Sequence, residues 1–313
     1  MNAANNINSI GDCPRQETLK LVHEKLTDVQ LAFTRKMVAE MNDFGNFYFE
    51  VCNEPYTHNF ECVSHEWQDR VIETIVTAER DLPNKHLISL NIANKREKVK
   101  SVNPAVSILN FHYAYPPSTV AMNYELNRVI GDNETGFRRP DDLYYRTEGW
   151  DFLLAGGALF NNLDYSFSPN HPSGTLRDYK APGGGSVELR QQLGILKSFM
   201  ERLDFVDMVP DTSFITDTIP KLRYQALVKP GQTYAVCMHL PLPGTNKSVP
   251  EDMMNPLSGQ LELTLLKGTY QVGWFDTKSG STAKVERIEH NGGALRLTSP
   301  PFVIDIALRV DRM

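Results

Sequence analysis

Concentrated positive charge is missing from this chain. Lys and Arg number 32 against 38 Asp and Glu, a net charge of −6, and no dense Lys/Arg tract occurs. With nothing to neutralise a phosphate backbone, the composition argues against nucleic acid as a main partner. No apolar run reaches membrane-spanning length, and no signal-peptide pattern stands at Met1. Cysteine is scarce too: Cys13, Cys52, Cys62 and Cys237 are the four, and they lack zinc-type spacing. Cys52 reads as a small core residue of its strand; a Cys13–Cys62 bridge and the redox compartment both stay open. The run His65-Glu66-Trp67-Gln68-Asp69 begins like a zinc-protease helix but lacks the second His, which rejects that kind of metal hydrolysis. Gly183-Gly184-Gly185-Ser186 is neither a phosphate loop nor a nucleophile elbow.

What is present describes an ordinary globular protein, 41% hydrophobic and 22% charged over 313 residues, enough for one large domain and a small one. Residues 1–15 read as loop, and a helical period of apolar residues predicts a helix over 16–42. Strands are expected at 46–52, 86–92, 106–113, 128–132 and 158–163. Helices are expected at 64–82 (opened by Ser64, stopped by Pro83), 122–126, 144–154 and 187–202. Strand and helix alternate without a hairpin signal, the pattern of a parallel sheet with crossovers. From Val209 the texture changes to short β-rich runs, at 224–228, 233–240, 261–265, 269–275, 284–289, 294–298 and 303–310, punctuated by Gly and Pro. That predicts an antiparallel sandwich over 209–313 after an α/β domain over 1–208. The first domain offers five strand–helix units where a complete (β/α)8 barrel has eight. It is either a different five-strand α/β fold or a barrel without its first three strands, and the second is preferred.

Asn53-Glu54-Pro55 closes an aromatic and β-branched strand with an amide and a carboxylate, and Gly131-Asp132-Asn133-Glu134 closes a later strand with a second Glu. Two carboxylates at the ends of two buried strands suit glycosidic bond cleavage, in which one protonates the leaving oxygen and the other attacks the sugar. Barrel enzymes carry catalytic groups at those strand ends. Each Glu can also be read as an ordinary polar turn residue. Phe111-His112-Tyr113 ends the strand between them, and a tyrosine donating to the attacking carboxylate would favour its ionised form. The long loop 168–186 can wall a cleft. Trp150 reads as packing helix 144–154 on the sheet, or as a platform for a sugar face; Trp274 reads as core.

On these residues the chain resembles the clan A type of retaining glycoside hydrolases built on (β/α)8 barrels. Asn53-Glu54-Pro55 and Glu134 look like that clan's fourth and seventh strands, and Phe111-His112-Tyr113 looks like its sixth. Gly149-Trp150-Asp151-Phe152-Leu153-Leu154-Ala155-Gly156-Gly157, continuing to Asn161-Asn162-Leu163-Asp164-Tyr165-Ser166, is similar to bacterial members that carry a small C-terminal β domain. The tail from Leu295 to Phe302, then Asp305 to Arg309, looks like the module named for collagen binding, a name that proves no such binding. The resemblance implies retaining hydrolysis with Glu54 as acid/base and Glu134 as nucleophile. It places Asn53, His112, Tyr113, Trp150 and Asn162 on a carbohydrate substrate, requires no cofactor or metal, and implies a secreted or periplasmic protein. Three further strands precede the matching region in that family. The alternative is a catalytically silent carbohydrate-binding or interaction protein.

Overall fold

The computed structural model describes residues 4, 10, 12–56, 63–138, 141–244 and 247–313. The considered Cys13–Cys62 bridge involves Cys62, which lies outside the described residues. Two compact units form, one of residues 1–112 and 122–131, the other of 113–121 and 132–313.

In the first unit, helix α1 (Glu24–Met41) packs on α2 (His65–Glu79), burying Leu26, Leu31 and Val38. Ser64 caps α2, its hydroxyl accepting the Trp67 amide at 3.1 Å, and Trp67, Val71, Ile72 and Ile75 make the buried stripe. The predicted helix over 16–42 holds only from Glu24. Arg15–Glu17 is a short 3-10 turn, and Leu19 forms a parallel bridge to Val63 instead. A helical spacing of apolar residues does not reveal that one of them is claimed by a bridge to a distant residue.

Five strands, β1 (Phe49–Glu50), β2 (Ile88–Asn94), β3 (Ile108–His112), β4 (Val129–Thr135) and β5 (Leu159–Asn162), lie in the order β1-β2-β3-β4-β5. β1 pairs β2 and β2 pairs β3 in parallel, with Phe49 opposite Ile88 and Leu90 opposite Leu109. Neighbours in sequence are neighbours in the sheet throughout, with none of the order reversal of a doubly wound sheet. This is the winding of a partial (β/α)8 barrel, and it decides between the two folds the sequence left open. β1 is far shorter than the predicted 46–52, since among the described residues it has a ladder partner on one side only. The expected helix 122–126 is displaced: α3 covers Ser118–Asn123, and Tyr124–Leu126 is a 3-10 turn ended by Asn127 in the left-handed region, at φ 50.

In the second unit, α4 (Asp142–Leu154) and α5 (Val187–Met200) are capped by Asp141 and Ser186. An antiparallel sandwich follows. One sheet orders β13 (Gly293–Thr298), β10 (Gln260–Leu265) and β7 (Ile215–Asp217). The other orders β12 (Thr282–His290), β11 (Gly268–Phe275), β14 (Asp305–Arg312), β9 (Thr233–His239), β8 (Arg223–Lys229) and β6 (Val209–Pro210). β6 and β7, two and three residues long, escaped the sequence reading. Trp274 is fully buried in the sandwich core, as expected.

β9 shows how the sandwich grips the helices. Its side chains alternate between two cores: Tyr234, Val236 and Met238 face the sandwich interior, while Ala235 and Cys237 pack with Trp150, Leu154, Leu196 and Phe199 of α4 and α5. The small residues on the helix side, joined by Ala307 of β14, let the helix backbones approach. Through this layer runs a buried ion pair. Arg146 of α4 donates from Nε and Nη2 to the two carboxylate oxygens of Asp305 at 3.0 and 2.8 Å, and from Nη1 to Gln192 at 2.9 Å. Thr277 adds a hydroxyl to Asp305 at 2.7 Å. Removing one partner strands a buried charge. Asp305→Ala should therefore lower unfolding free energy by about 3–5 kcal/mol, measured by urea denaturation; a loss below about 1 kcal/mol, the range of exposed pairs, would show that the pair is not structurally required.

Candidate active site

In the first unit, parallel strands lined with polar residues lead up to Glu54. Asn110 of β3 donates to Glu50 of β1 at 2.5 Å and to Ser89 of β2 at 2.7 Å, and Ser89 donates to the same Glu50 oxygen at 3.2 Å. Asn91 of β2 accepts the Glu54 amide at 2.7 Å, holding the chain where it leaves β1. Glu54 itself takes a left-handed backbone, at φ 44, a conformation that costs energy for any residue with a Cβ and clusters at functional positions. His112, at the end of β3, places Nδ1 3.0 Å from the Glu54 carboxylate; the His side chain is 1% exposed and the Glu 20%. A carboxylate fixed by a buried imidazole and still open to solvent can exchange a proton with a bound molecule.

A separate hydrogen-bonded group, in the second unit, begins at the next residue. Tyr113, also left-handed at φ 55, directs its hydroxyl to Glu134 Oε1 at 2.5 Å, and its amide donates to the Glu134 carbonyl at 2.8 Å. A donated hydroxyl stabilises a carboxylate as the anion. Phe137 meets the Tyr113 ring edge to face, 5.5 Å between centroids.

Beneath Glu134 lies buried charge that the sequence reading passed over. Asp132, 2% exposed, accepts the Ala114 amide at 3.2 Å. Thr135 donates to Glu148 of α4 at 2.8 Å, and Arg138 Nε stands 2.8 Å from the other Glu148 oxygen while its guanidinium lies over the rings of Tyr115 and Tyr144. A clue to Glu148 was present, since an acid in the middle of Tyr144-Tyr145-Arg146-Thr147-Glu148-Gly149-Trp150 interrupts a helix buried nearly all round.

Of the remaining candidates, Asn53 is exposed next to Glu54, and Asn162 is buried at the end of β5. Trp150 requires a correction. It is 2% exposed and packs its ring 4.9 Å from Phe199, within the layer between helices and sandwich, so its face is taken by the core and open to no sugar. Among the described residues no helix is long and apolar enough to cross a membrane.

Burial pushes the Glu148 carboxyl up to about 7 from 4.5, with Arg138 and Thr135 pulling it down and Asp151 adding to the rise. The folded protein thus holds this proton more tightly than the unfolded chain. The contribution to stability is present below pH 4.5 and is lost as pH rises through about 7. Urea denaturation across that window should show wild type losing stability relative to Glu148→Gln; parallel curves would mean that Glu148 is ionised throughout.

No family profile and no curated protein sequence matches this chain. Solved structures do. A protein described as a glycoside hydrolase superposes with a TM-score of 0.62 at 13% identity, covering 91% of this chain and 69% of its own. A glycoside hydrolase of family 5 from Bacteroides vulgatus gives 0.62 at 14% identity, covering 92% and 68%. The catalytic domain of the family 30 xylanase C from Talaromyces cellulolyticus gives 0.54 at 13% identity, covering 91% and 67%. At these identities the likeness is one of fold: a five-stranded parallel sheet wound like part of a (β/α)8 barrel, followed by an antiparallel sandwich, is shared with these solved glycoside hydrolase structures.

Proposed function

We propose that the chain hydrolyses O-glycosidic bonds of an oligo- or polysaccharide with retention of configuration. Glu54 serves as acid/base and Glu134 as nucleophile. The observation that carries this reading is covalent: His112 and Tyr113 are consecutive residues, and one holds Glu54 while the other holds Glu134. The fold shared with glycoside hydrolases, which carry catalytic groups at the carboxyl-terminal strand ends, supports it.

In this mechanism Glu54, protonated, donates to the glycosidic oxygen as the bond to the anomeric carbon breaks. The Glu134 carboxylate, held by the Tyr113 hydroxyl, forms the new bond to that carbon on the opposite face. Water then attacks the glycosyl-enzyme ester, giving its proton to the Glu54 carboxylate, and Glu134 departs. Asn53 donates to a ring hydroxyl beside the reacting carbon. Residues 209–313 act as a supporting domain: they contribute Asp305 and the β9 layer that hold α4.

The two roles predict different dependence on the leaving group. Glu54→Gln should slow turnover of a poor leaving group such as 4-nitrophenyl-free alkyl glycosides by about 10²–10⁴-fold, and of 2,4-dinitrophenyl glycosides far less in the bond-breaking step. Glu134→Gln should abolish formation of the covalent intermediate for both. Steady-state and burst kinetics on the two substrate classes test this. Equal losses in both variants whatever the leaving group would overturn the assignment, and oligosaccharide binding without turnover by wild type would replace the enzyme with a binding protein.

A further inference from the structure

Tyr113 stands in a backbone conformation that aromatic residues rarely adopt. The hydrogen bonds that hold the segment there include three. The Tyr113 amide donates to the Glu134 carbonyl at 2.8 Å, the Tyr115 amide to the Tyr113 carbonyl at 2.8 Å, and the Ala114 amide to Oδ2 of Asp132 at 3.2 Å. The first two are main-chain bonds, available to any side chains. Only the third depends on residue type, because it needs an acceptor reaching out from position 132. In a continued strand the residue after His112 would project to the opposite face; the left-handed turn re-aims Tyr113, and its hydroxyl ends 2.5 Å from Glu134.

An acid at position 132 is otherwise costly. It is 2% exposed, in a strand whose preceding residues Ile130 and Gly131 are buried, and two positions from Glu134 on the same strand face. Burial first, and then the charges of Glu148 and Glu134, push its carboxyl well above the ordinary range, while the amides of Ala114 and Tyr113 pull the other way. A neutral carboxyl still offers a carbonyl oxygen to the Ala114 amide.

We propose that Asp132 is a positioning residue, which through the Ala114 amide fixes the left-handed turn that sets the Tyr113 hydroxyl on Glu134. This rests on the reading of Glu134 as nucleophile; the placement of Tyr113 by Asp132 is testable apart from it. Asn at 132 retains an acceptor of the same reach, and Ala does not.

The experiment combines kinetics on 2,4-dinitrophenyl glycosides with crystal structures of the variants. Tyr113→Phe should lower kcat/KM by about 10- to 100-fold, the worth of a hydrogen bond to a charged group. Asp132→Ala should do likewise, Asp132→Asn should restore most of the loss, and Asp132→Ala combined with Tyr113→Phe should be no worse than Tyr113→Phe within about twofold. The Asp132→Ala crystal structure should show Tyr113 out of the left-handed region and its hydroxyl away from Glu134. Should that variant not fold, Asp132→Ser, whose hydroxyl is too short to reach the Ala114 amide, takes its place. Multiplicative losses in the double variant, or an unmoved Tyr113, would overturn the inference. If instead wild type and Glu134→Gln are equally inactive, the nucleophile assignment falls, while the position of Tyr113 in the variant structure still decides what Asp132 does.

Discussion

Helix α4 is held by buried polar contacts on two sides, and the end of β4, which carries Glu134, depends on it. Arg146 reaches Asp305 of β14, and Glu148 reaches Thr135 at the end of β4. Two residues along a helix turn the side chain through about 200°, so these partners lie on opposite faces of the same helix. The Asp305 pair therefore fixes the helix against the sandwich, and the helix in turn presents Glu148 to the strand end that carries Glu134. Buried ion pairs of this kind give little net stability, because desolvation offsets attraction, but they tolerate few alternative geometries. Their use here is to fix position.

The same economy appears where the strands end. Barrel interiors are usually filled by branched apolar side chains, yet β1, β2 and β3 put Glu50, Ser89 and Asn110 together in one hydrogen-bonded group. The Asn110 amide nitrogen and the Ser89 hydroxyl both find acceptors there, which lowers the cost of burying them. Above that group, Glu54 and Tyr113 occupy left-handed backbone. Strain of this sort persists where surrounding bonds over-determine it; the Asn91 contact to the Glu54 amide and the Asp132 contact to the Ala114 amide supply those bonds.

Much of the architecture could be read from local pattern. Ser64 before Trp67 signalled a helix start, alternating polar and apolar residues in Leu295-Arg296-Leu297-Thr298 signalled a strand with one buried face, and Trp274 in such a strand signalled core. The errors have particular causes. Residues 16–23 carry helical spacing but lose Leu19 to Val63, and the run 46–52 has strand composition but a ladder partner on one side only. Trp150 suited packing first and a sugar platform second, because an indole serves both; burial against Phe199 is a fact about neighbours 49 positions away in the chain and in the β-domain beyond.

The sequence by itself determined the elements and the chemical types at their ends, because periodicity, capping and the choice of Glu at a strand terminus are local properties. It carried Glu54, His112, Tyr113 and Glu134 as candidates for the same reason. The tertiary structure alone decided that the sheet winds in sequential order, that Tyr113 turns left-handed to reach Glu134, and that Asp132 and Glu148 support the strand end from beneath. Those outcomes depend on which distant groups satisfy a buried donor or charge, and a buried donor has no signature until the chain around it is closed.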